Sequence, residues 1–280
     1  MTTTLHCGRY RLTLERPLIM GIVNLTPDSF SGDGVGDDAS AAIAHAEAQR
    51  AAGADILDLG AESSRPGAAP VPAEVEIARL RPVLRALRDW GVPVSVDTSK
   101  PEVMRLAIDE GAALINDIMA LRAPGALEVV AESDAGVCLM HMQGEPRTMQ
   151  ANPQYVDVVE EVHAFLTARM MACIAAGIDK ERLIVDPGFG FGKTVAHNYT
   201  LLRELRCFTE IGVPVLAGLS RKSMLGAVTG REAGSARMPA SVAAAVLAVE
   251  RGAAIVRVHD VAATRDALAV WSAMEDKGAS

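Results

Sequence analysis

Aromatic residues and positive charge are both scarce in this 280-residue sequence. Phe, Trp and Tyr make up 4% of it, so we expect a core filled by Ala, Val, Leu and Ile, which pack well between strands and helices. The formal net charge of −8 argues against a nucleic-acid-binding protein, which usually presents a basic face to phosphates. An anionic small substrate stays compatible with this charge where basic residues converge locally.

The sequence also lacks paired cysteines and long apolar runs. Its four cysteines are widely spaced, and none belongs to the Cys-x-x-Cys pair of zinc and redox sites. No basic segment followed by an apolar run opens the chain, and no run approaches the roughly 18 apolar residues of a membrane span. We therefore expect reduced, mostly buried thiols and a cytoplasmic protein.

Eight short runs rich in β-branched and aliphatic residues indicate strands, at 18–25, 55–60, 92–99, 112–118, 136–142, 183–188, 213–220 and 255–260. Helical spacing occurs between them, at 39–52, 72–90, 155–176, 198–211 and 237–251, and several of these stretches end at Gly. Eight strand-then-helix units favour parallel strands closed into an α/β (β/α)8 TIM barrel. A doubly wound sheet is the weaker alternative.

No linker divides the chain, so we expect a single domain over residues 1–280. The alternation of Tyr10, Leu12 and Leu14 indicates an N-terminal hairpin, within residues 1–16, that closes the bottom of the barrel. The barrel itself is expected over residues 17–276.

Polar residues stand at the ends of nearly all predicted strands, although buried parallel strands usually read as continuously apolar. They are Asn24, Glu62, Asp97, Asn116, His141, Asp186, Lys222, Arg257 and His259. One Asp or Asn after a strand is more often a turn former or a helix cap, but the strand ends of a barrel meet on one face. The repetition therefore predicts one polar pocket. Asp55 and Asp58 come earlier, and we interpret them as partners of buried amides, without a functional role.

The strand ends also carry multi-residue motifs. They read NLTPDSFS at 24–31, GAESSRPG at 60–67, SVDT at 95–98, INDI at 115–118, LMHMQGEP at 139–146, DPGFGFGK at 186–193, GLSRKS at 218–223 and RVHD at 257–260. In this order the motifs resemble the dihydropteroate synthase family from about residue 18 to the last helix. The glycine-rich segment at 24–36 suits a mobile lid.

The resemblance implies a homodimeric, Mg²⁺-dependent transferase of folate biosynthesis that is a target of sulfonamides. It would condense (7,8-dihydropterin-6-yl)methyl diphosphate with 4-aminobenzoate. Three places depart from the family's usual pattern: residues 32–35 replace Asp-Gly-Gly, Ala61 replaces a second glycine, and Met119 with Ala120 replaces Ser-Gly. They bear on lid geometry and pocket shape, and not on the chemistry.

The pterin ring presents adjacent N–H donors on one edge, which a carboxylate matches in a charge-assisted fork. We assign Asp186 to that edge. The resemblance implies that Asp97 and Asn116 complete the hydrogen bonds of the ring. The further expected pterin contacts are Ile118, Met140, Gly218, Lys222 and Arg257.

Departure of the diphosphate is the main catalytic demand, because negative charge develops on the leaving group. Arg257 and His259 alternate on the last strand and point the same way, and loops at this end of the barrel commonly bind phosphate. Asn24 is expected to help hold Mg²⁺ against the diphosphate, with Ser64 as another diphosphate contact. The expected catalytic residues are Asp97, Lys222, Arg257 and His259, with Asp97 and Asp186 stabilising cationic charge on the methylene and pterin.

For the aminobenzoate, the resemblance points to Ser64, Arg65 and Pro66. Phe191 would be a stacking wall, and Ser223 would lie near the start of the next helix, where a carboxylate gains from free N–H groups.

Two alternative functions stay open on the sequence. A pterin-binding module that presents methyltetrahydrofolate to a corrinoid partner would keep the Asp and Asn contacts, but it would need neither RVH nor SRP. A phosphate-binding barrel isomerase or aldolase is compatible with the fold alone. It gives no reason for carboxylates facing a heteroaromatic edge.

Overall fold

The structure is a computed structural model and describes residues 4–25, 39–63, 70–145 and 148–275. A two-stranded antiparallel hairpin, β1 (Thr4–Cys7) and β2 (Tyr10–Thr13), precedes the sheet. Eight parallel strands follow: β3 (Leu18–Asn24), β4 (Ile56–Gly60), β5 (Val94–Asp97), β6 (Leu114–Asp117), β7 (Gly136–Met140), β8 (Leu183–Asp186), β9 (Leu216–Ala217) and β10 (Ile255–Val258).

The sheet closes on itself. Its strand order is β8-β7-β6-β5-β4-β3-β10-β9, and the two outer strands meet where Val185 forms a parallel bridge with Val215. The Val185 N–H donates to the Pro214 carbonyl at 3.0 Å across the same seam. The predicted TIM barrel is therefore confirmed.

Helices connect the strands in the described part of the chain. They are α1 (Ala39–Ala51), α2 (Ala73–Leu87), α3 (Pro101–Asp109), α4 (Ala126–Ala131), α5 (Val158–Ala175), α6 (Val195–Arg203), α7 (Ser223–Thr229), α8 (Met238–Glu250) and α9 (Val261–Glu275). None of these helices combines the length and the apolar character that a membrane crossing requires.

The helix predicted over 198–211 is wrong in its second half. α6 ends at Arg203, and a 3₁₀ helix continues over Leu205–Ile211. Leu205, Phe208 and Ile211 are buried at a spacing of three, which fits both 3.0 and 3.6 residues per turn over so short a stretch. Hydrophobic spacing alone therefore could not separate the two kinds of helix.

The strand predicted over 213–220 is shorter than expected. Only Leu216 and Ala217 pair with β10. Before them, Pro214 has no N–H to donate to a neighbouring strand. After them, the chain turns toward the cavity described below. The missing ladder bonds leave residues 218–223 available for other contacts.

The hairpin seals the amino-terminal end of the barrel, as the alternation of Tyr10 and Leu12 predicts. Leu5 and Cys7 are fully buried against the first residues of the barrel strands, among them Leu18 and Ile56. A second, larger cluster fills the space between the strands and the helices. The carboxyl ends of the strands are thus the end of the barrel where polar side chains gather.

Candidate active site

A cavity of about 400 Å³ opens at the carboxyl ends of the barrel strands. The residues assigned to catalysis, substrate binding or metal binding that the structure describes line it: Asn24, Asp97, Asn116, Ile118, Met140, Asp186, Phe191, Gly218, Lys222, Ser223, Arg257 and His259. Ser64, Arg65 and Pro66 lie outside the described residues, as do the proposed lid beyond Leu25 and the departures at 32–35. The predicted residues thus converge on one pocket, as far as the structure describes them.

Strand register brings the first polar group together. Asn24, Gly60, Asp97 and Asn116 are aligned neighbours on β3, β4, β5 and β6. A Cβ at Gly60 would lie 3.6 Å from the Asn24 Oδ1 atom and 3.9 Å from the Asp97 Cβ atom. The absent side chain at Gly60 therefore leaves open the space between the Asn24 amide and the Asp97 carboxylate.

Arg257 crosses the floor of the cavity between two carboxylates. Its Nε donates to Asp58 Oδ2 at 2.6 Å, and its Nη2 donates to Asp97 Oδ2 at 2.9 Å. Burial alone would lower the pKa of the guanidinium, but Asp58 and Asp97 raise it above its ordinary value. Arg257 is therefore a fixed positive charge at the bottom of the pocket.

Asp97 is a carboxylate with an unusual ionisation. Burial raises its pKa to about 7, the neighbouring Arg257 opposes the rise, and the negative charge of Asp58 adds to it. Since carboxyl groups with pKa values near neutrality are concentrated at functional sites, this position is a candidate for substrate contact.

Asp186 and Lys222 form a second pair of opposite charges across the cavity. Asp186 Oδ1 accepts from the Gly188 amide at 2.7 Å, while Oδ2 faces the backbone of Gly218, 3.8 Å from the position a Cβ would take there. Burial raises the pKa of Asp186 and lowers that of Lys222 to about 8. The Lys222 ammonium lies 4.2 Å from the centre of the Phe191 ring, in a cation–π contact.

His259 is oriented by Ser220 at the other side of the pocket. The Ser220 hydroxyl accepts from the His259 backbone N–H at 3.2 Å and lies 2.9 Å from Nδ1. When that hydroxyl donates its proton to Nδ1, a neutral imidazole carries its own proton on Nε2.

Arg221 joins the loops that carry these groups. Its guanidinium forms a two-point contact with Asp260, at 2.7 and 3.1 Å, and its backbone has a positive φ of 57°. This ion pair links the residue before Lys222 to the residue after His259. The loops that carry Lys222 and His259 are therefore held in a fixed relative position. The motif at 218–223 contains Arg221, but nothing in it indicates that this side chain pairs with Asp260, so the contact was not predicted from the sequence.

His141 is a correction to the predicted pocket. It does not line the cavity, and its buried Nδ1 accepts from the Lys193 ammonium at 2.9 Å. The Lys193 ammonium also donates to the carbonyls of Gly188 and Phe191, each at 3.0 Å. A Cβ at Gly188, which has a positive φ of 71°, would overlap the His141 carbonyl, so the loop after β8 packs backbone against backbone.

Glu62 reaches the cavity and also fastens the chain around it. One carboxylate oxygen accepts from the Val71 amide at 2.7 Å, and the other lies 2.5 Å from the Lys100 ammonium. Lys100 also contacts the fully buried Glu76 at 2.8 Å. Glu62 is thus a structural partner as well as a polar group of the pocket wall.

Two of the departures from the usual motif lie in the described chain. Ala61 is fully buried, and Ala120 takes a positive φ of 53°, where glycine is the easier residue. Asp117 holds this turn by accepting from the amides of Met119 and Leu121, at 2.8 and 2.7 Å. The two hydrogen bonds to Asp117 therefore stabilise the turn in which Ala120 has its positive φ.

The interpretation of Asp55 and Asp58 needs a split. Asp55 accepts from the Ile19 amide at 2.8 Å, as expected of a partner of a backbone group. Asp58 accepts from the buried side-chain amide of Asn116 and, at a shorter distance, from the guanidinium of Arg257, so a buried amide is only one of its two partners. An acidic residue in the middle of an otherwise apolar buried strand is the sequence signal that could have separated the two.

Comparison with known proteins first gives the class. The sequence model of the family described as pterin binding enzyme matches residues 20–259. A dihydropteroate synthase of Neisseria meningitidis serogroup C is 54% identical over 273 residues, which are 96% of each chain. The chain belongs to the dihydropteroate synthase family.

Solved structures agree with this assignment. A Yersinia pestis dihydropteroate synthase in a sulfonamide drug complex has a TM-score of 0.93 at 45% identity, covering 97% of this chain and 98% of that one. A Xanthomonas albilineans dihydropteroate synthase with 4-aminobenzoic acid has a TM-score of 0.92 at 53% identity, covering 99% of both chains. The similarity therefore extends over nearly the whole barrel.

Proposed function

We propose that this protein is a transferase that condenses (7,8-dihydropterin-6-yl)methyl diphosphate with 4-aminobenzoate, giving 7,8-dihydropteroate and diphosphate in tetrahydrofolate biosynthesis. The observation that carries the proposal is one cavity in which the carboxylates of Asp97 and Asp186 face the cations of Lys222 and Arg257. Membership of the family supports it, as do the aminobenzoate and sulfonamide complexes of the neighbours.

Asp186 binds the aminopyrimidinone edge of the pterin. Its Oδ1 is already held by the Gly188 amide, which fixes the plane of the carboxylate, and its Oδ2 faces the cavity beside Gly218. Asp97 and Asn116 accept and donate along the remaining polar atoms of the ring, while Ile118 and Met140 supply apolar walls.

Lys222, Arg257 and His259 bind the reacting part of the substrate. The Lys222 ammonium donates to the ring, while the positive charge of Arg257 and the Nε2–H of His259 stabilise the negative charge that grows on the departing diphosphate. The carboxylates of Asp97 and Asp186 lower the energy of cationic charge on the methylene and the pterin. The aniline nitrogen of 4-aminobenzoate then forms the new C–N bond as the C–O bond to diphosphate breaks.

Asn24 is the proposed protein ligand of Mg²⁺. Its amide oxygen faces the space above Gly60, and amide, carboxylate and phosphate oxygens are the donors that Mg²⁺ prefers. The described residues contain no group of three acidic, His or Cys side chains placed to hold a metal, which fits an ion that usually takes one or two protein ligands plus substrate phosphates. When bound, Mg²⁺ would neutralise charge on the diphosphate.

The aminobenzoate is proposed to bind nearer the mouth of the cavity. Phe191 offers an aromatic face there, and Ser223, the first residue of α7, offers a hydroxyl. Ser64, Arg65 and Pro66 complete this proposal from outside the described residues, with Ser64 also assigned to the diphosphate.

Three broader properties belong to the proposal as well. They are a single domain over residues 1–280, a homodimer, and a cytoplasmic location. The free thiols of Cys7, Cys138, Cys173 and Cys207 suit a reducing compartment.

The methyltetrahydrofolate-presenting module is disfavoured by the cationic floor of the pocket. Such a module needs no anion-binding Arg257 and His259 beside the pterin contacts, yet both residues line the same cavity. The isomerase or aldolase alternative gives no reason for Asp97, Asn116 and Asp186 to face one flat ligand.

The direct test measures diphosphate release with Mg²⁺, the dihydropterin diphosphate and 4-aminobenzoate. We expect release that depends on 4-aminobenzoate and falls at least about a hundredfold in Lys222→Ala and Arg257→Ala. Arg105→Ala, which removes an exposed arginine paired with Glu132, is the matched control and should retain full activity. Absence of aminobenzoate-dependent release would overturn the function.

A further inference from the structure

Asp58 lies one layer beneath the floor of the cavity. Side chains alternate along β4, so Ile56, Asp58 and Gly60 point into the barrel while Leu57 and Leu59 pack toward the helices. Ile56 belongs to the apolar plug at the bottom, and Gly60 borders the polar pocket. Asp58 therefore lies between the apolar cluster at the bottom of the barrel and the polar pocket, and it is fully buried.

The contacts of Asp58 are directed at two residues of the site. Its Oδ2 accepts from Arg257 Nε at 2.6 Å and lies 3.4 Å from the Asn116 side-chain nitrogen. Its Oδ1 is buried and has no hydrogen-bond partner among the residues that the structure describes. The hydrogen bonds of Asp58 thus go to side chains through Oδ2, and not to the backbone of the sheet.

Stability alone gives no reason for a carboxylate here. A buried ion pair usually gains no more than a well-packed apolar pair would, because two charges must be removed from water. An orphaned carboxylate oxygen at the centre of a barrel adds a further cost. The neighbouring inward position on the strand is Ile56, which shows that an apolar residue suits this interior.

We propose that Asp58 is a positioning residue for the reaction: it fixes the guanidinium of Arg257 and the amide of Asn116 at the floor of the pocket. Asp58 does not line the cavity, so it acts through these two side chains and not on the substrate. The inference rests on the proposed function for its catalytic readout.

The geometry explains why Arg257 needs such a partner. An arginine side chain has several rotatable bonds, and one contact to Asp97 would leave the guanidinium of Arg257 free to rotate about that contact. Held at Nε by Asp58 and at Nη2 by Asp97, the guanidinium plane is defined by two points. Arg257 also lines the cavity, so under the proposed function this restraint fixes a positive charge beside the diphosphate.

The first test replaces Asp58 by Asn, which keeps the size and one acceptor but removes the charge that holds Arg257. We expect kcat/KM for the dihydropterin diphosphate to fall between about tenfold and a hundredfold, mainly through kcat, because small displacements of a catalytic group have effects of this size. KM for 4-aminobenzoate should change less than about threefold, since the side-chain partners of Asp58 are Arg257 and Asn116 and neither is assigned to that substrate.

Asp55→Asn is the matched control, one residue before the same strand. Asp55 pairs with Arg16 and the Ile19 amide outside the pocket, so this variant should lose stability and retain kcat/KM. Equal losses of kcat/KM in the two variants would overturn the proposal.

A double-mutant cycle identifies the route. In an Arg257→Gln background, Asp58→Asn should change kcat/KM by less than about twofold, because the charged partner of Asp58 is gone and only the long 3.4 Å contact with Asn116 remains. Effects that multiply would overturn the proposal. A thermal-unfolding cycle gives an answer that is independent of activity: Arg257→Gln strands a buried carboxylate, so adding Asp58→Asn should raise the midpoint of unfolding, and a further fall would contradict the pairing.

The two ideas fail in different ways. Absence of aminobenzoate-dependent diphosphate release from the unmodified protein refutes the proposed function and leaves the unfolding cycle to decide the pairing. Normal release with additive kinetic effects refutes the role of Asp58 alone.

Discussion

Replacing Lys193 by Met should make the stability of the protein depend differently on pH. The Lys193 ammonium is buried and donates to His141 Nδ1, to the Gly188 carbonyl and to the Phe191 carbonyl. Burial lowers the pKa of Lys193 to about 7, with Asp186 opposing the fall. The pKa of His141 falls to about 3, so this partner is neutral throughout the range of interest.

The magnitude follows from proton linkage. The unfolded chain holds the Lys193 proton up to its ordinary pKa of 10.5, whereas the folded protein releases it near 7. Between these values the unfolded state binds more protons, so the native protein gains stability as pH rises, by about 1.4 kcal/mol per pH unit. From pH 7, where half of the folded molecules still hold the proton, to pH 9 the gain is about 2.3 kcal/mol, and Lys193→Met removes it.

The loss of hydrogen bonds acts in the same direction at high pH. Above pH 7 the neutral Lys193 amine can still donate to two of these buried acceptors, and Met leaves them without a donor, at about 1 to 3 kcal/mol each. Below pH 7 this loss is offset because the variant no longer buries a charge. We therefore expect Lys193→Met to be mildly destabilised near pH 6.5 and to be destabilised by at least about 3 kcal/mol at pH 9.

Urea unfolding at pH 6.5, 7, 8 and 9 measures the difference. Lys180→Met, which removes an exposed lysine, is the matched control and should differ from the unmodified protein by no more than about 0.5 kcal/mol at every pH. A constant difference between Lys193→Met and the unmodified protein across this range would refute the reasoning.

Three further predictions concern the pocket. Because ionised Asp97 accepts hydrogen bonds and its pKa is about 7, kcat/KM for the dihydropterin should fall about tenfold per pH unit below 7, and Asp97→Asn with full turnover would exclude the role. Gly188→Ala should cost at least about 2 kcal/mol more in the free energy of unfolding than Gly177→Ala, which shares a positive φ but has open space around it, and equal losses would contradict the close packing. Arg221→Lys breaks the two-point contact with Asp260 and should lower kcat/KM about tenfold, whereas an unchanged value would show that this contact does not hold the loop.

Much of the barrel could be predicted because its signals are local. Each buried strand is a short aliphatic run, and Gly residues such as Gly53, Gly91 and Gly252 mark the ends of the preceding helices with a positive φ. The positions of Asn24, Asp97, Asn116 and Asp186 at strand ends were enough to place them on one face, since the ends of parallel strands meet there.

Contacts between distant side chains could not be predicted in the same way. Asp58 and Arg257 are 199 residues apart, so the place of Asp58 inside an apolar strand separates it from Asp55 but does not identify its partner. His141 shows the same limit, because Lys193, 52 residues later, takes it out of the pocket wall. Strand ends give the face of a side chain, and only three-dimensional packing gives its partner.

The hairpin of Thr4–Cys7 and Tyr10–Thr13 affects how ligands enter and leave the barrel. It fills the amino-terminal end of the barrel with Leu5 and Cys7, so among the described residues the cavity opens at the carboxyl ends of the strands. Under the proposed function, the pterin binds deepest in the cavity and the aminobenzoate binds nearer its mouth. An early-arriving aminobenzoate analogue would then bar the pterin from entering, and the condensed product must leave by the route its halves came in.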